Sequence, residues 1–216
     1  MAGAFVVLEG GDGSGKSSVL AHLAETFGGL PGGTLISREP GGTPEGQAIR
    51  RLLLARHGDW EPLAELLLIA AARAQHVERV IRPALAAGRL VLCDRYIGST
   101  LAYQGSGRGL PETRIRELHA WTTGDLWPDL TLLLDVAPEQ ALSRGMARLA
   151  ADGSGEDRFE ALGLDFQRRV RQGFLDQAAA APARHAVLDA SRPLAEVKEA
   201  AAARIRDLLG LPAGGR

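Results

Sequence analysis

A chain of 216 residues with 45% hydrophobic content is long enough to bury a sizeable core, and one domain is the simplest arrangement for it. Its formal net charge of -1 excludes bulk electrostatic attraction to nucleic acid or to an acidic membrane, so any anion binding must be local. The single cysteine, Cys93, excludes an internal disulfide, and without a basic-then-apolar leader or an apolar run of spanning length the expected location is cytoplasmic.

The first expected strand is the apolar run Ala4-Phe5-Val6-Val7-Leu8. It is followed by Gly10-Gly11-Asp12-Gly13-Ser14-Gly15-Lys16-Ser17 and the helix-like Ser18-Val19-Leu20-Ala21-His22-Leu23. This is G-x-x-x-x-G-K-[ST] between a strand and a helix, the context a phosphate-binding loop requires. Glycines let the backbone wrap an anion with its N–H groups turned inward, and the helix start adds free N–H groups and a positive dipole end. Lys16 is placed to neutralise the β- and γ-phosphates of a nucleoside triphosphate, and Ser17 to offer its hydroxyl to Mg²⁺.

A short second strand is expected over 34–37, ending in Arg38-Glu39-Pro40-Gly41-Gly42-Thr43. Its proline and paired glycines predict a tight turn that holds Arg38 where ligands bind in open α/β sheets. Helical spacing covers 45–56 and 62–87. The second of these carries an apolar stripe of Leu63, Leu66, Leu67, Ala70, Ala71 and Ala74, and Pro83 predicts a kink near its end. Arg73 lies on that helix, where most arginines are solvated. A third strand, Leu90-Val91-Leu92-Cys93, ends in Asp94-Arg95-Tyr96, an acid able to hold Mg²⁺ or orient a nucleophile beside a base able to grip phosphate. Residues 99–109 read as a binding surface running into a mobile glycine-rich loop.

A helix over 111–121, a strand over 130–136 and a helix over 138–151 follow, with Arg144 and Arg148 on one face of the last. Asp152-Gly153-Ser154-Gly155-Glu156-Asp157-Arg158 breaks that helix, so about 144–158 is expected to be a mobile lid. A helix over 159–181, a strand over 186–190 and a helix over 194–209 complete a single domain spanning 1–211, with 212–216 as a flexible tail. Five short buried strands alternating with helices predict an α/β fold: a mainly parallel five-stranded sheet covered on both faces.

A phosphate loop alone leaves ATPases, GTPases, transporters and small-molecule kinases open. No N-K-x-D segment and no D-x-x-G after the third strand argue against a GTPase, and Arg38 and Arg95 at strand ends suggest a second anionic ligand facing the γ-phosphate. A non-catalytic nucleotide-binding switch is the alternative of another class. Taken together, the phosphate loop after Phe5-Val6-Val7-Leu8-Glu9, the segment 38–43, Asp94-Arg95-Tyr96 with Ser99-Thr100 and Ala102-Tyr103-Gln104-Gly105, and Pro128-Asp129-Leu130-Thr131 resemble bacterial thymidylate kinases over nearly the whole chain.

The resemblance implies a P-loop kinase fold, a homodimer, and transfer of the γ-phosphoryl of ATP to dTMP with Mg²⁺, giving dTDP and ADP. It implies that Gly10, Gly11, Asp12, Gly13, Ser14, Gly15, Lys16, Ser17 and Ser18 serve ATP, with Ser191 on the adenine side and Ser17 and Asp94 at the metal. Asp12 is implied to meet the acceptor sugar, Arg38 and Arg95 the acceptor phosphate, and Tyr103 the deoxyribose. Arg73, Ser99, Thr100 and Gln104 are implied at the thymine ring. The phosphate loop holds no arginine, so Arg144, Arg148 and Arg158 are the implied sources of a lid guanidinium for the transferred phosphoryl. The chain departs from the family at Ile69, where a phenylalanine usually stacks on thymine. That leaves a kinase for another nucleotide, such as dUMP or dGMP, as a rival reading.

Overall fold

The computed structural model describes residues 3–55, 58–141, 143 and 162–212. Among them five strands form one sheet, β1 (Ala4–Glu9), β2 (Thr34–Arg38), β3 (Leu90–Asp94), β4 (Leu130–Asp135) and β5 (His185–Asp189), in the order β2-β3-β1-β4-β5 with every pair parallel. Strand β1 is central, and Phe5, Val6, Val7 and Leu8 are each at most 1% exposed. A strand buried on both faces needs no polar alternation, so a continuous apolar run marks it.

The period of two along β1 divides its side chains between two cores. Val6 and Leu8 pack with Val19 and Leu23 of α1 (Lys16–Phe27) and with Ile205 of α8 (Leu194–Leu209). On the opposite face, Phe5 and Val7 pack with Ile81, Tyr96 and Ile115, the last on α6 (Glu112–Thr123). Full burial of one such side chain stabilises by about 1.5–3 kcal/mol, so the two faces of β1 anchor both layers.

Two helical stretches depart from regular α geometry. The run from α3 (Pro62–His76) continues through Val77–Ile81 into α4 (Arg82–Ala86), and Arg82 N–H bonds to Val77 O, a five-residue step. Pro83 lacks an N–H and its ring would crowd the carbonyl four residues back, so the turn before it widens instead of kinking sharply. The other stretch is α5 (Ile97–Thr100) followed by a π-helical turn over Leu101–Gly107.

The second stretch corrects the mobile loop expected over 99–109. Leu101, Ala102, Tyr103, Gln104, Gly105 and Gly107 are buried under α7 (Leu164–Ala180). A Cβ on Gly107 would stand 2.6 Å from the Phe166 ring, and one on Gly173 would meet the Ser106 side chain. Those glycines therefore mark close helix packing. Boundaries shift as well: α2 is Pro44–Leu54, capped by the Thr43 hydroxyl, α7 begins at Leu164 where the sequence suggested 159, and the ends of α6, β4 and β5 move by one or two residues. The lid expected over 144–158 and residues 213–216 of the expected 212–216 tail lie outside the described residues.

Every strand ends in a polar residue, namely Glu9, Arg38, Asp94, Asp135 and Asp189. Parallel pairing brings these ends to one edge of the sheet, with Asp94 in register between Leu8 and Arg38. The chain leaves β1 for β2 on one side and later returns to β4 on the other, so the phosphate loop lies at the switch point where open α/β sheets form their ligand crevice.

Candidate active site

The loop after β1 owes its path to glycine. Gly10 has φ 138°, and a Cβ there would stand 2.5 Å from the Leu134 carbonyl oxygen, so no other residue fits between the loop and β4. Helix α1 starts at Lys16 without an acidic residue in its first turn, which preserves its positive end for an anion. Ser17 and Ser18 are exposed in that turn.

Lys16 is only 7% exposed and its Nζ donates to Gly10 O at 3.0 Å and Gly11 O at 2.8 Å. Burial, followed by the nearby Arg95 charge, lowers its pKa to about 8, against the opposing pull of Asp94, Asp12 and Glu9. Between about 8 and the ordinary lysine value of 10.5 the folded chain therefore binds fewer protons at Lys16 than the unfolded chain, and stability rises with pH across that window. The stability difference between wild type and Lys16→Met, measured by thermal melting from pH 7 to pH 10.5, is expected to move in favour of wild type as pH increases. A flat difference would overturn this assignment.

Arg95 follows β3 in a left-handed conformation, φ 68°, that a non-glycine residue adopts only when its surroundings impose it. They do so from three sides. Its N–H bonds to Leu8 O at 2.9 Å, and the next N–H, of Tyr96, donates to Glu9 Oε1 at 3.0 Å. Its guanidinium donates to Asp12 Oδ1 at 2.7 Å and Ser99 Oγ at 2.9 Å and lies over the Tyr103 ring. Desolvation opposes its charge, but Tyr103, Asp12, Asp94 and Glu9 outweigh that and hold its pKa well above the usual arginine value.

Glu9 is 1% exposed and also accepts from Ser99 N–H at 2.9 Å and Ser99 Oγ at 2.5 Å. Burial raises its pKa despite Arg95 and these hydrogen bonds. Tyr103 donates to Asp12 Oδ2 at 3.4 Å and packs edge-on against Phe166 and Phe174. Asp94 Oδ1 is buried and has no hydrogen-bond partner among the described residues. An acceptor left so beside Lys16 suits a cation or its bound water.

A second polar cluster lies under the turn after β2, whose Glu39–Pro40 peptide is cis. Arg73 is 4% exposed, which overrides the solvated reading of a helix arginine. Its Nε donates to Glu39 Oε2 at 2.7 Å and its Nη2 to Thr100 Oγ1 at 2.8 Å. Glu39 Oε1 lies 2.9 Å from His76 Nδ1, and His76 Nε2 lies 2.6 Å from Ser37 Oγ. Gly42 closes this cluster: at φ 77° it sits so near the His76 ring that a Cβ would overlap it. Ile69 is buried between Arg73 and Glu65, and Gln104 Nε2 donates to Glu65 Oε1 at 2.8 Å.

Arg38 is exposed, with one 3.5 Å hydrogen bond to Gln47, so the turn fixes its backbone but leaves its guanidinium loosely held, where the sequence predicted that the turn would hold the side chain as well. Ser191 is exposed on the loop after β5, its N–H and hydroxyl bonded to Asp189, and the following Leu194 reaches within 3.8 Å of where a Gly15 Cβ would be. The structure thus brings Lys16, Asp12, Asp94, Arg95, Ser99 and Tyr103 together, with Arg73, Thr100, Ile69 and Gln104 in an adjoining cluster. Arg144, Arg148 and Arg158 lie outside the described residues.

These clusters also contain Glu9, Glu39, Glu65 and His76, which sequence reading did not assign. Glu9 could have been found as the acid that closes the apolar first strand directly before the phosphate loop, and Glu65 as an acid inside an apolar helix stripe four residues before Ile69.

The thymidylate kinase family model matches residues 8–201. The chain belongs to that family. It is 56% identical over 208 residues to thymidylate kinase of Cereibacter sphaeroides, with 96% of both chains covered. It is 48% identical over 212 residues to the thymidylate kinase of Nitratidesulfovibrio vulgaris, covering 97% of this chain and 99% of that one. The crystal structure of thymidylate kinase from Ehrlichia chaffeensis superposes with a TM-score of 0.74 at 31% identity, covering 97% of this chain and 99% of the other. The P-loop kinase fold and the family expected from the motifs are borne out, and the reaction is phosphorylation of dTMP to dTDP by ATP.

Proposed function

We propose that this thymidylate kinase holds ATP along residues 10–18 with Ser191 on the adenine side, and dTMP across Asp12, Arg38, Ile69, Arg73, Arg95, Ser99, Thr100, Tyr103 and Gln104. The observation that carries the reading is the 2.7 Å contact between Arg95 and Asp12 of the phosphate loop. It sets a charged guanidinium for a second phosphate directly against the donor loop. An acceptor phosphate oxygen is already a nucleophile, so the site's work is to position two anions in line, neutralise them and exclude water.

Lys16 neutralises the donor phosphates, and Arg95 with Arg38 orients the acceptor phosphate. Asp12 and Tyr103 fix the sugar. Ser17 and Asp94 would hold Mg²⁺, a role that suits an Asp94 Oδ1 with no partner among the described residues. When bound, Mg²⁺ spreads the negative charge shared by the β- and γ-phosphates. The domain, one unit over 1–211, would be completed by closure of 144–158, with Arg144, Arg148 or Arg158 as the arginine for the transferred phosphoryl. A cytoplasmic homodimer belongs to the proposal too. Leu52, Leu63 and Leu67 are more than half or half exposed at 54%, 58% and 50%, and give α2 and α3 an outward apolar face.

The test is ADP production from Mg-ATP with dTMP beside dUMP, dGMP, dCMP, the ribose analogue and no acceptor. Selective turnover of dTMP is expected; acceptor-independent turnover or preference for another nucleotide would overturn the substrate placement. Ile69 offers a finer check. An aliphatic platform forgoes an aromatic contact of roughly 0.5–1.5 kcal/mol, so Ile69→Phe is expected to lower the dTMP KM by up to about tenfold. An unchanged or higher KM would remove Ile69 from the base platform.

A further inference from the structure

Glu65, Ile69 and Arg73 succeed one another at four-residue spacing along α3, and all three are buried, at 0%, 9% and 4% exposure. Residues so spaced share one helix face. Here that face is turned to the segment after β3, because Arg73 reaches Thr100 and Glu65 reaches Gln104 and Arg108. An apolar platform is therefore flanked by a polar pair at each end. One end offers a donor-only guanidinium. What the other end offers depends on which way the Gln104 amide is turned.

Glu65 decides that. Its Oε2 takes the Arg108 guanidinium at 3.1 Å and its Oε1 takes Gln104 Nε2 at 2.8 Å. A carboxylate so paired only accepts hydrogen bonds, so the amide must turn its NH₂ to Glu65 and keep its carbonyl Oε1 for a ligand. We infer that Glu65 is a specificity-determining residue, which fixes Gln104 as an acceptor and so makes the base site select a ring with an N3–H donor beside a 4-carbonyl acceptor.

This rests on the proposed placement of Arg73, Ile69 and Gln104 at the base. The chemistry matches on both counts: a 4-carbonyl takes Arg73, and N3–H donates to Gln104 Oε1. In cytosine both groups are inverted, with an amino group facing Arg73 and an unprotonated N3 facing a carbonyl oxygen. The pair does not distinguish thymine from uracil, whose N3 and O4 are the same.

Glu65→Gln tests the inference. Arg108 requires an acceptor, so the new amide turns its oxygen to Arg108 and its NH₂ to Gln104, which then flips and presents a donor to the base. The dTMP-over-dCMP ratio of kcat/KM is expected to fall by roughly ten- to a hundredfold, as befits one mismatched buried hydrogen bond. The loss should lie in the nucleotide KM, with the ATP KM and the dTMP-over-dUMP ratio unchanged. A parallel loss with dTMP and dCMP would mean that Glu65 is only structural and would overturn the inference. If Glu65→Gln melts below the assay temperature, Gln104→Leu carries the test: the same fall in the dTMP-over-dCMP ratio supports the inference and an unchanged ratio overturns it. Wild type that does not select dTMP over dCMP would instead remove the base placement on which the inference stands.

Discussion

Lys16→Ala is expected to lower kcat for dTMP-dependent ADP production by about 10²–10³-fold or more, the scale of removing one preorganised group that stabilises developing charge. The reason is both electrostatic and geometric. Lys16 Nζ is already anchored by the Gly10 and Gly11 carbonyls, so its charge sits inside the loop before any phosphate enters and costs little reorganisation in the reaction. Its surroundings also keep it near the edge of titration, at a pKa of about 8, and a bound phosphate would pull that value upward. ATP binding at pH 9 should accordingly take up a proton in wild type and not in Lys16→Ala, as calorimetry in buffers of different ionisation enthalpy would show. Near-normal turnover of Lys16→Ala would overturn the role given to this loop.

Glu39→Ala is expected to be the most destabilising single change at the site. It strands Arg73 and His76, 4% and 0% exposed, without the carboxylate that both face. Removing one partner of a buried ion pair costs about 3–5 kcal/mol because the other charge stays buried. At about 2–4 °C per kcal/mol for a chain of this size, the melting temperature should drop by ~6–20 °C. Adding Arg73→Met should recover part of the loss by removing the stranded charge, and a double-mutant cycle measures the coupling. A drop of a degree or two in Glu39→Ala would show that the cluster is satisfied by other means.

Lys16 and Glu39 differ in how far the sequence alone reveals them. Lys16 was legible in the sequence because a phosphate loop is local: eight consecutive residues between a strand and a helix contain the whole device. The same holds for Asp94 and Arg95, which close an apolar run, and for Cys93, whose burial follows from its neighbours and leaves its thiol pKa raised by desolvation. Glu39 was visible only as part of a turn. Its partners Arg73 and His76 lie more than thirty positions along the chain, and no spacing rule connects a turn to a helix face at that distance. The segment 99–109 misled for a related reason. Gly107 looks like a loop residue until α7 lies against it, when the absence of a side chain becomes the condition for contact.

The sequence by itself determined the five strands, though not the exposure of Ile36 on β2 and Val187 on β5, the phosphate loop at the end of the first and the family, because each rests on the chemistry of contiguous residues. The tertiary structure decided the strand order and, through it, which strand ends share an edge. It also decided which acids hold which arginines: Glu9 beneath the Arg95 turn, Glu39 on Arg73, and Glu65 between Arg108 and Gln104. A charge in water is indifferent to its neighbours beyond about a Debye length, whereas a buried one must be paired. Only packing says which charges are buried.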